Sequence, residues 1–206
     1  MDALDRRDGE IAVAYARVVI ERYLEDGEMP DPPETVDTSS LEDHRGAFVT
    51  LESGGLLRGC IGRPYPRQPV FEAIRESAIG AATNDPRFDP VDRDEFHDVT
   101  LEVSVLTEPE AVTVPDGDET LPIEVGRDGL IVENGVRSGL LLPQIPVEHG
   151  WDVETFLSQT CRKAGLSGQC WRDESVTVER FSAAVFHETD PNGSVEPVAV
   201  TESAMA

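Results

Sequence analysis

Lysine is almost missing from this chain of 206 residues: 17 residues are basic, 41 are acidic, and Lys163 is the one basic residue that is not arginine. With aromatics at 6% and a formal net charge of -24, the composition reads as a soluble protein from a salt-rich cytoplasm. At molar salt the Debye length falls to about 3 Å, so such a charge repels far less than in dilute buffer. Loss of structure at low salt is the corollary. A strongly negative surface also ranks nucleic acid and anionic membranes low as partners. No stretch approaches the roughly 18 apolar residues of a membrane span, and Met1-Asp2-Ala3-Leu4-Asp5 lacks the basic and apolar start of a signal peptide. A cytoplasmic location is expected. Cysteine is scarce as well: Cys60, Cys161 and Cys170 are odd in number and contain no close pair, which argues for separate thiols in a reducing compartment. Missing too are a Gly-rich phosphate loop, HExxH, CxxC and a serine elbow, so no metal or cofactor is expected.

What is present is patterned. Ile11, Ala14, Tyr15, Val18 and Val19 fall at helical spacing within Gly9 to Glu25. Phe48 to Glu52 and Leu56 to Gly62 flank Ser53-Gly54-Gly55, a hairpin signal. Val70 to Ala82 is helical up to the stop at Pro86, and Thr100 to Leu106 alternates strictly, with Glu102 and Ser104 on its polar face. Asn134-Gly135 marks a second hairpin, and Trp151 to Arg162 a helix with Asp152 as N-cap. Val176 to Phe186 reads as one strand, and residues from 191 onward as an acidic, frayed tail. The strand containing Leu57 and that containing Val103 are expected in one largely antiparallel sheet, with the helix before Pro86 on its apolar side. That is an α+β fold.

The chemistry concentrates in Leu57-Arg58-Gly59-Cys60-Ile61-Gly62. Strict alternation puts Arg58, Cys60 and Gly62 on one strand face, where the cation would lower the thiol pKa and create a nucleophile. Gly59 and Gly62 would leave room for an approaching molecule. The rival reading is a small buried hydrophobe, with Arg58 as a structural ion-pair partner. Glu102 and Ser104 offer a carboxylate and a hydroxyl for proton handling. Arg58, Arg87 and Lys163 would suit an anionic substrate, although Arg87 in Asp85-Pro86-Arg87-Phe88 reads first as a structural corner paired with Asp85. Lys163 alone escaped the bias toward arginine, and its ammonium can change pKa on burial as a guanidinium does not.

Leu57-Arg58-Gly59-Cys60-Ile61-Gly62, Asp85-Pro86-Arg87-Phe88, Glu102 to Thr107, Gly139-Leu140-Leu141-Leu142-Pro143-Gln144 and Cys161-Arg162-Lys163-Ala164-Gly165-Leu166 together resemble the AMMECR domain family. The resemblance spans nearly the whole chain. It implies a single α+β domain over residues 1–190, a tail over 191–206, and two unequal subdomains whose motifs meet at a cleft. With the composition, it suggests a halophilic archaeal member. Its activity is not settled, so two expectations stand. One is an enzyme with Cys60, Arg58, Lys163, Glu102 and Ser104 in the cleft and a small, anionic substrate. The other is an adaptor module, since members of the family are companions of Memo-type and radical SAM proteins.

Overall fold

The computed structural model describes residues 4–29, 36–114 and 121–198. In chain order the elements are α1 (Arg6–Asp26), β1 (Ala47–Ser53), β2 (Leu56–Arg63), α2 (Val70–Thr83), α3 (Arg93–Phe96), β3 (Val99–Leu106), β4 (Glu110–Ala111), β5 (Gly129–Asn134) and β6 (Arg137–Leu141). Then follow α4 (Gln144–Glu148), α5 (Val153–Lys163), β7 (Thr177–Phe181), β8 (Ala183–Glu188) and β9 (Val195–Pro197). The chain divides into two compact units. The first takes the N-terminal part to Leu106 and returns for Ala184–Val198; the second is the continuous stretch Thr107–Ala183.

In the first unit, α1 begins at a capping box in which Asp5 and Asp8 each accept the other's backbone N–H, and it stops at Gly27 in the left-handed conformation. The caps satisfy helix-end groups that would otherwise lack partners. Ala12, Val13, Tyr15, Ala16, Val19 and Ile20 are buried, while Ala14 of the expected stripe is exposed. The face is rotated and wider than a single stripe because α1 packs against both α2 and the sheet strands β3 and β9. The sheet order is β2-β1-β3-β8-β9, with β1 antiparallel to both β2 and β3. The strands of Leu57 and Val103 therefore share one sheet, as their alternation predicts. Helix α2 lies on its apolar side, where Gly59 and Gly80 allow close contact: a Cβ on Gly59 would lie 2.2 Å from the Ala81 carbonyl oxygen.

One buried ion pair ties the beginning of this unit to its end. Arg17 Nε donates to Glu188 Oε1 at 2.7 Å, its Nη2 donates to Glu188 Oε2 and to the Val99 carbonyl, and Leu101 N–H donates to Glu188 Oε2 at 3.0 Å. Phe96 lies 4.9 Å below the guanidinium, which adds a cation–π contact.

The second unit carries the sheet β4-β7-β5-β6 with α5 against β5 and β6. Its β5–β6 hairpin turns at Gly135-Val136, directly after Asn134, and Gly135 has φ +60°. Gly139 again marks a close approach, since a Cβ there would lie 2.4 Å from Ala164 N. Three expectations need correction. Cys161 and Cys170 are joined in a disulfide with Cα atoms 5.9 Å apart, so they are not separate thiols. The turn at Gly165, left-handed at φ +71°, carries the chain back from α5 and brings the two sulfurs together. The Val176–Phe186 strand is two strands, β7 and β8, in different sheets, with the break at Ser182, whose N–H donates to Thr107 Oγ1. Val195–Pro197 is not frayed; it forms β9 and pairs with β8, while residues 199–206 lie outside the described residues. No helix among the described residues is long and apolar enough to cross a membrane.

Candidate functional site

Cys60 sits on β2, the edge strand of the first sheet. The pairing shifts between Leu51 and Glu52: Leu51 faces Gly59, Glu52 faces Leu57, and Arg58 is the extra residue of a bulge. A bulge breaks strict alternation and re-aims the side chain it carries. The expected partnership of Arg58 with Cys60 is therefore replaced. Arg58 forks onto Glu95 of α3, through Nε to Oε1 and Nη2 to Oε2 at 3.0 Å, and its Nη1 donates to the Asp89 carbonyl at 2.9 Å. It is a tether for the segment after α2.

The cation beside Cys60 is Arg87. Asp85, 4% exposed, accepts at Oδ1 from Arg87 N–H at 3.1 Å and Nε at 3.0 Å, and at Oδ2 from Arg87 Nη2 at 2.7 Å. The same Oδ2 accepts the Cys60 backbone N–H at 2.9 Å, while Arg87 Nη2 reaches the Cys60 carbonyl at 3.4 Å. The two side chains thus bind the open edge of β2 where a further strand would, which protects an edge that could otherwise pair with another chain. The Asp85–Arg87 pairing expected of a structural corner is present, and it is built onto the thiol residue.

Charge follows this geometry. The Arg87 fork, then the backbone N–H groups of Cys60 and Arg87, hold the Asp85 carboxyl well below the usual carboxylate range against the opposing effect of burial. Arg87 is raised chiefly by its hydrogen bonds to Asp85, and a Cys60 thiolate adds a smaller favourable charge. Because folding lowers the Asp85 pKa, its stabilisation is complete above about pH 4, near the unfolded value, and is lost as pH falls below that. Asp85→Asn is accordingly expected to cost about 2 kcal/mol at pH 7, with the gap to the parent narrowed but not closed at pH 3, since the folded carboxyl is still ionised there. Urea titrations at the two pH values check this, and a gap that does not change with pH would refute it.

On the other side of the thiol, Thr50 Oγ1 donates to Cys60 Sγ at 3.3 Å. In the sheet register Thr50 pairs with both Cys60 and Glu102, so Cys60, Thr50 and Glu102 form one row across β2, β1 and β3. The next row is Gly62, Phe48 and Ser104. Direct cross-strand neighbours have Cβ atoms about 5 Å apart and lie on one face. Three of the five expected residues, Cys60, Glu102 and Ser104, thereby share a face. The space expected beside the glycines is already filled: a Cβ on Gly62 would strike the Phe48 ring at 2.1 Å, and Gly59 meets Ala81. Access to Cys60, which is half-buried, does not depend on them. Ser104 is 1% exposed, and its Oγ has no hydrogen-bond partner among the described residues. Lys163 belongs to the second unit, where it is the exposed last residue of α5.

Thr50 escapes the sequence reading, and Asp85 enters it only as the corner partner of Arg87. Thr50 could be found only by knowing the register of β1. Asp85 left a weak signal, since Asp followed two residues later by a residue whose N–H it can accept is an Asx turn. Among the described residues no group of three or more His, Cys, Asp or Glu is placed to hold a metal ion.

Helices with two antiparallel sheets and an edge-strand thiol define an α+β protein of one recognisable kind. A family model described as AMMECR1 matches residues 13–186, and the chain belongs to that family. A protein of Thermococcus onnurineus is 49% identical over 193 residues, covering 91% of this chain and 94% of its own length. Protein MJ0810 of Methanocaldococcus jannaschii is 47% identical over 200 residues, covering 95% and 97%. The crystal structure of uncharacterized protein PH0010 from Pyrococcus horikoshii superimposes with a TM-score of 0.86 at 45% identity, over 95% of this chain and 98% of that one. These relatives come from thermophiles and lend no support to a halophilic origin.

Proposed function

We propose that the chain is a cytoplasmic enzyme that uses Cys60 as a nucleophile on a small anionic substrate. The observation that carries this is the setting of Cys60: half-buried, its sulfur hydrogen-bonded by Thr50, with the Arg87 cation on its backbone carbonyl and close enough to favour the thiolate. A donor and a cation both favour thiolate over thiol, and the thiolate is the nucleophile. In this reading Glu102, one strand beyond Thr50, handles the proton, and the buried Ser104 hydroxyl binds a polar atom of the substrate. Arg58 acts indirectly by fixing the Asp89–Glu95 segment, and Lys163, in the second unit, takes no part in this reading.

Cys60 should react with iodoacetamide in the native chain along a pH profile whose midpoint lies below the ordinary thiol value of about 8.5. Thr50→Val should move that midpoint upward and Thr50→Ser should restore it. A Cys60 that is modified only in denaturant would sink the enzyme reading. The second reading, an adaptor for Memo-type or radical SAM partners, is favoured in that event by Leu56, 74% exposed, and Leu57, 42% exposed, at the tip of the β1–β2 hairpin.

A further inference from the structure

Arg87 spends only part of its guanidinium on the protein. Nε and Nη2 go to Asp85, and Nη2 also to the Cys60 carbonyl, whereas Nη1 has no acceptor among the described residues. The Arg87 side chain is 53% exposed while its Asp85 partner is 2% exposed, so a buried carboxylate grips one edge of the guanidinium and leaves the other toward solvent. A guanidinium carries five donors in a rigid plane. Fixing the plane by one edge fixes where the remaining donors point, so little side-chain entropy is lost when an acceptor arrives. Asp85 does not cancel this use, because the N–H groups on the free edge stay polarised by a charge the guanidinium cannot give up. Another polar group on this part of the unit awaits a partner: the buried Ser104 Oγ lies one row from Cys60 on the face that Thr50 and Glu102 share.

We propose that Arg87, held by Asp85, is the anchor for the substrate's oxyanion, a carboxylate or a phosphate, and presents the rest of that molecule to Cys60. This rests on Cys60 being the nucleophile. It assigns the anion to Arg87 and takes that role away from Arg58, whose Nε, Nη1 and Nη2 are all engaged by Glu95 and Asp89.

Paired alkylating reagents separate the anchor from the nucleophile. Iodoacetate and iodoacetamide both form an S–C bond at Cys60 and release iodide, but only iodoacetate carries a carboxylate. The ratio of their rates cancels the thiolate fraction, so an altered thiol pKa does not disturb it. At one fixed ionic strength, Arg87→Gln should lower the iodoacetate to iodoacetamide ratio about fivefold, the worth of one exposed charge-assisted hydrogen bond. Arg63→Gln makes the same charge change on the exposed end of β2 and should leave the ratio within a factor of two. Equal ratios for the two variants would overturn the anchor while leaving the nucleophile in place. Failure of both reagents to modify native Cys60 would overturn the nucleophile, and the anchor with it. Should Arg87→Gln not fold, the parent chain answers directly. Acetate or inorganic phosphate should slow modification by iodoacetamide more than chloride does at equal ionic strength, and the stronger protector distinguishes a carboxylate from a phosphate ligand. Protection no better than chloride would overturn the proposal.

Discussion

Glu188→Ala is expected to lower the melting temperature by about 10 °C, corresponding to a loss of about 3–5 kcal/mol in a chain of this length. The replacement strands two groups at once. Arg17, whose side chain is 7% exposed, keeps its charge with no carboxylate to meet it, and Leu101 N–H loses its acceptor inside the sheet. Removing one partner of a buried pair leaves the full desolvation cost of the other, which exceeds the modest net value of the intact pair. A double replacement, Arg17→Met with Glu188→Leu, removes both charges and should recover most of the loss. Thermal melts at fixed salt, followed by circular dichroism, distinguish the cases; a Glu188→Ala chain within 1 °C of the parent would refute the argument.

Reduction of the disulfide should produce the second large effect. Closing the loop from Cys161 to Cys170, nine residues apart, restricts the unfolded chain by about 2.5 kcal/mol in the loop-entropy account. Cys170→Ser should lower the denaturation midpoint of the second unit accordingly, and dithiothreitol should do the same to the parent. Cys60→Ala should leave the response to dithiothreitol unchanged. Thiol titration in denaturant supplies the count: one thiol before reduction and three after. Three thiols before reduction, or a midpoint insensitive to dithiothreitol, would count against the bridge. The bridge also withdraws the argument from cysteine usage to a reducing compartment. Intracellular disulfides are common in hyperthermophiles, so the bond by itself assigns no location.

Much of the fold was legible because local chemistry and tertiary structure agree. Gly54, Gly55 and Gly135 supply the positive φ that their turns require, and the Leu101, Val103 and Val105 alternation is that of a strand with one face on a core. Legibility ended where a distant partner decides the outcome. Val195-Glu196-Pro197 has neither length nor alternation, and only the edge of β8 makes it a strand. The nine-residue spacing of Cys161 and Cys170 says nothing of the turn that joins them. At the candidate site, the sequence named Cys60, Glu102 and Ser104, which the sheet register places on one face, but paired Cys60 with Arg58, whereas the arginine that hydrogen-bonds this residue is Arg87. One bulge residue is invisible in a pattern of alternating side chains, yet it sends Arg58 to Glu95 and leaves the Cys60 carbonyl to Arg87.

The chain order has a consequence for synthesis. The first unit is interrupted after Leu106 and completed only by Ala184–Val198, whereas the second is contiguous. A nascent chain therefore exposes the α1 residue Arg17 long before Glu188, 171 residues later, has left the ribosome. During that interval the β3 edge lacks β8 and the arginine lacks its acceptor, so the first half of the protein must wait unfinished while the inserted half is made. At about 5–20 residues per second the wait lasts on the order of ten seconds or more, a period in which the open edge is available to chaperones or to a second nascent chain.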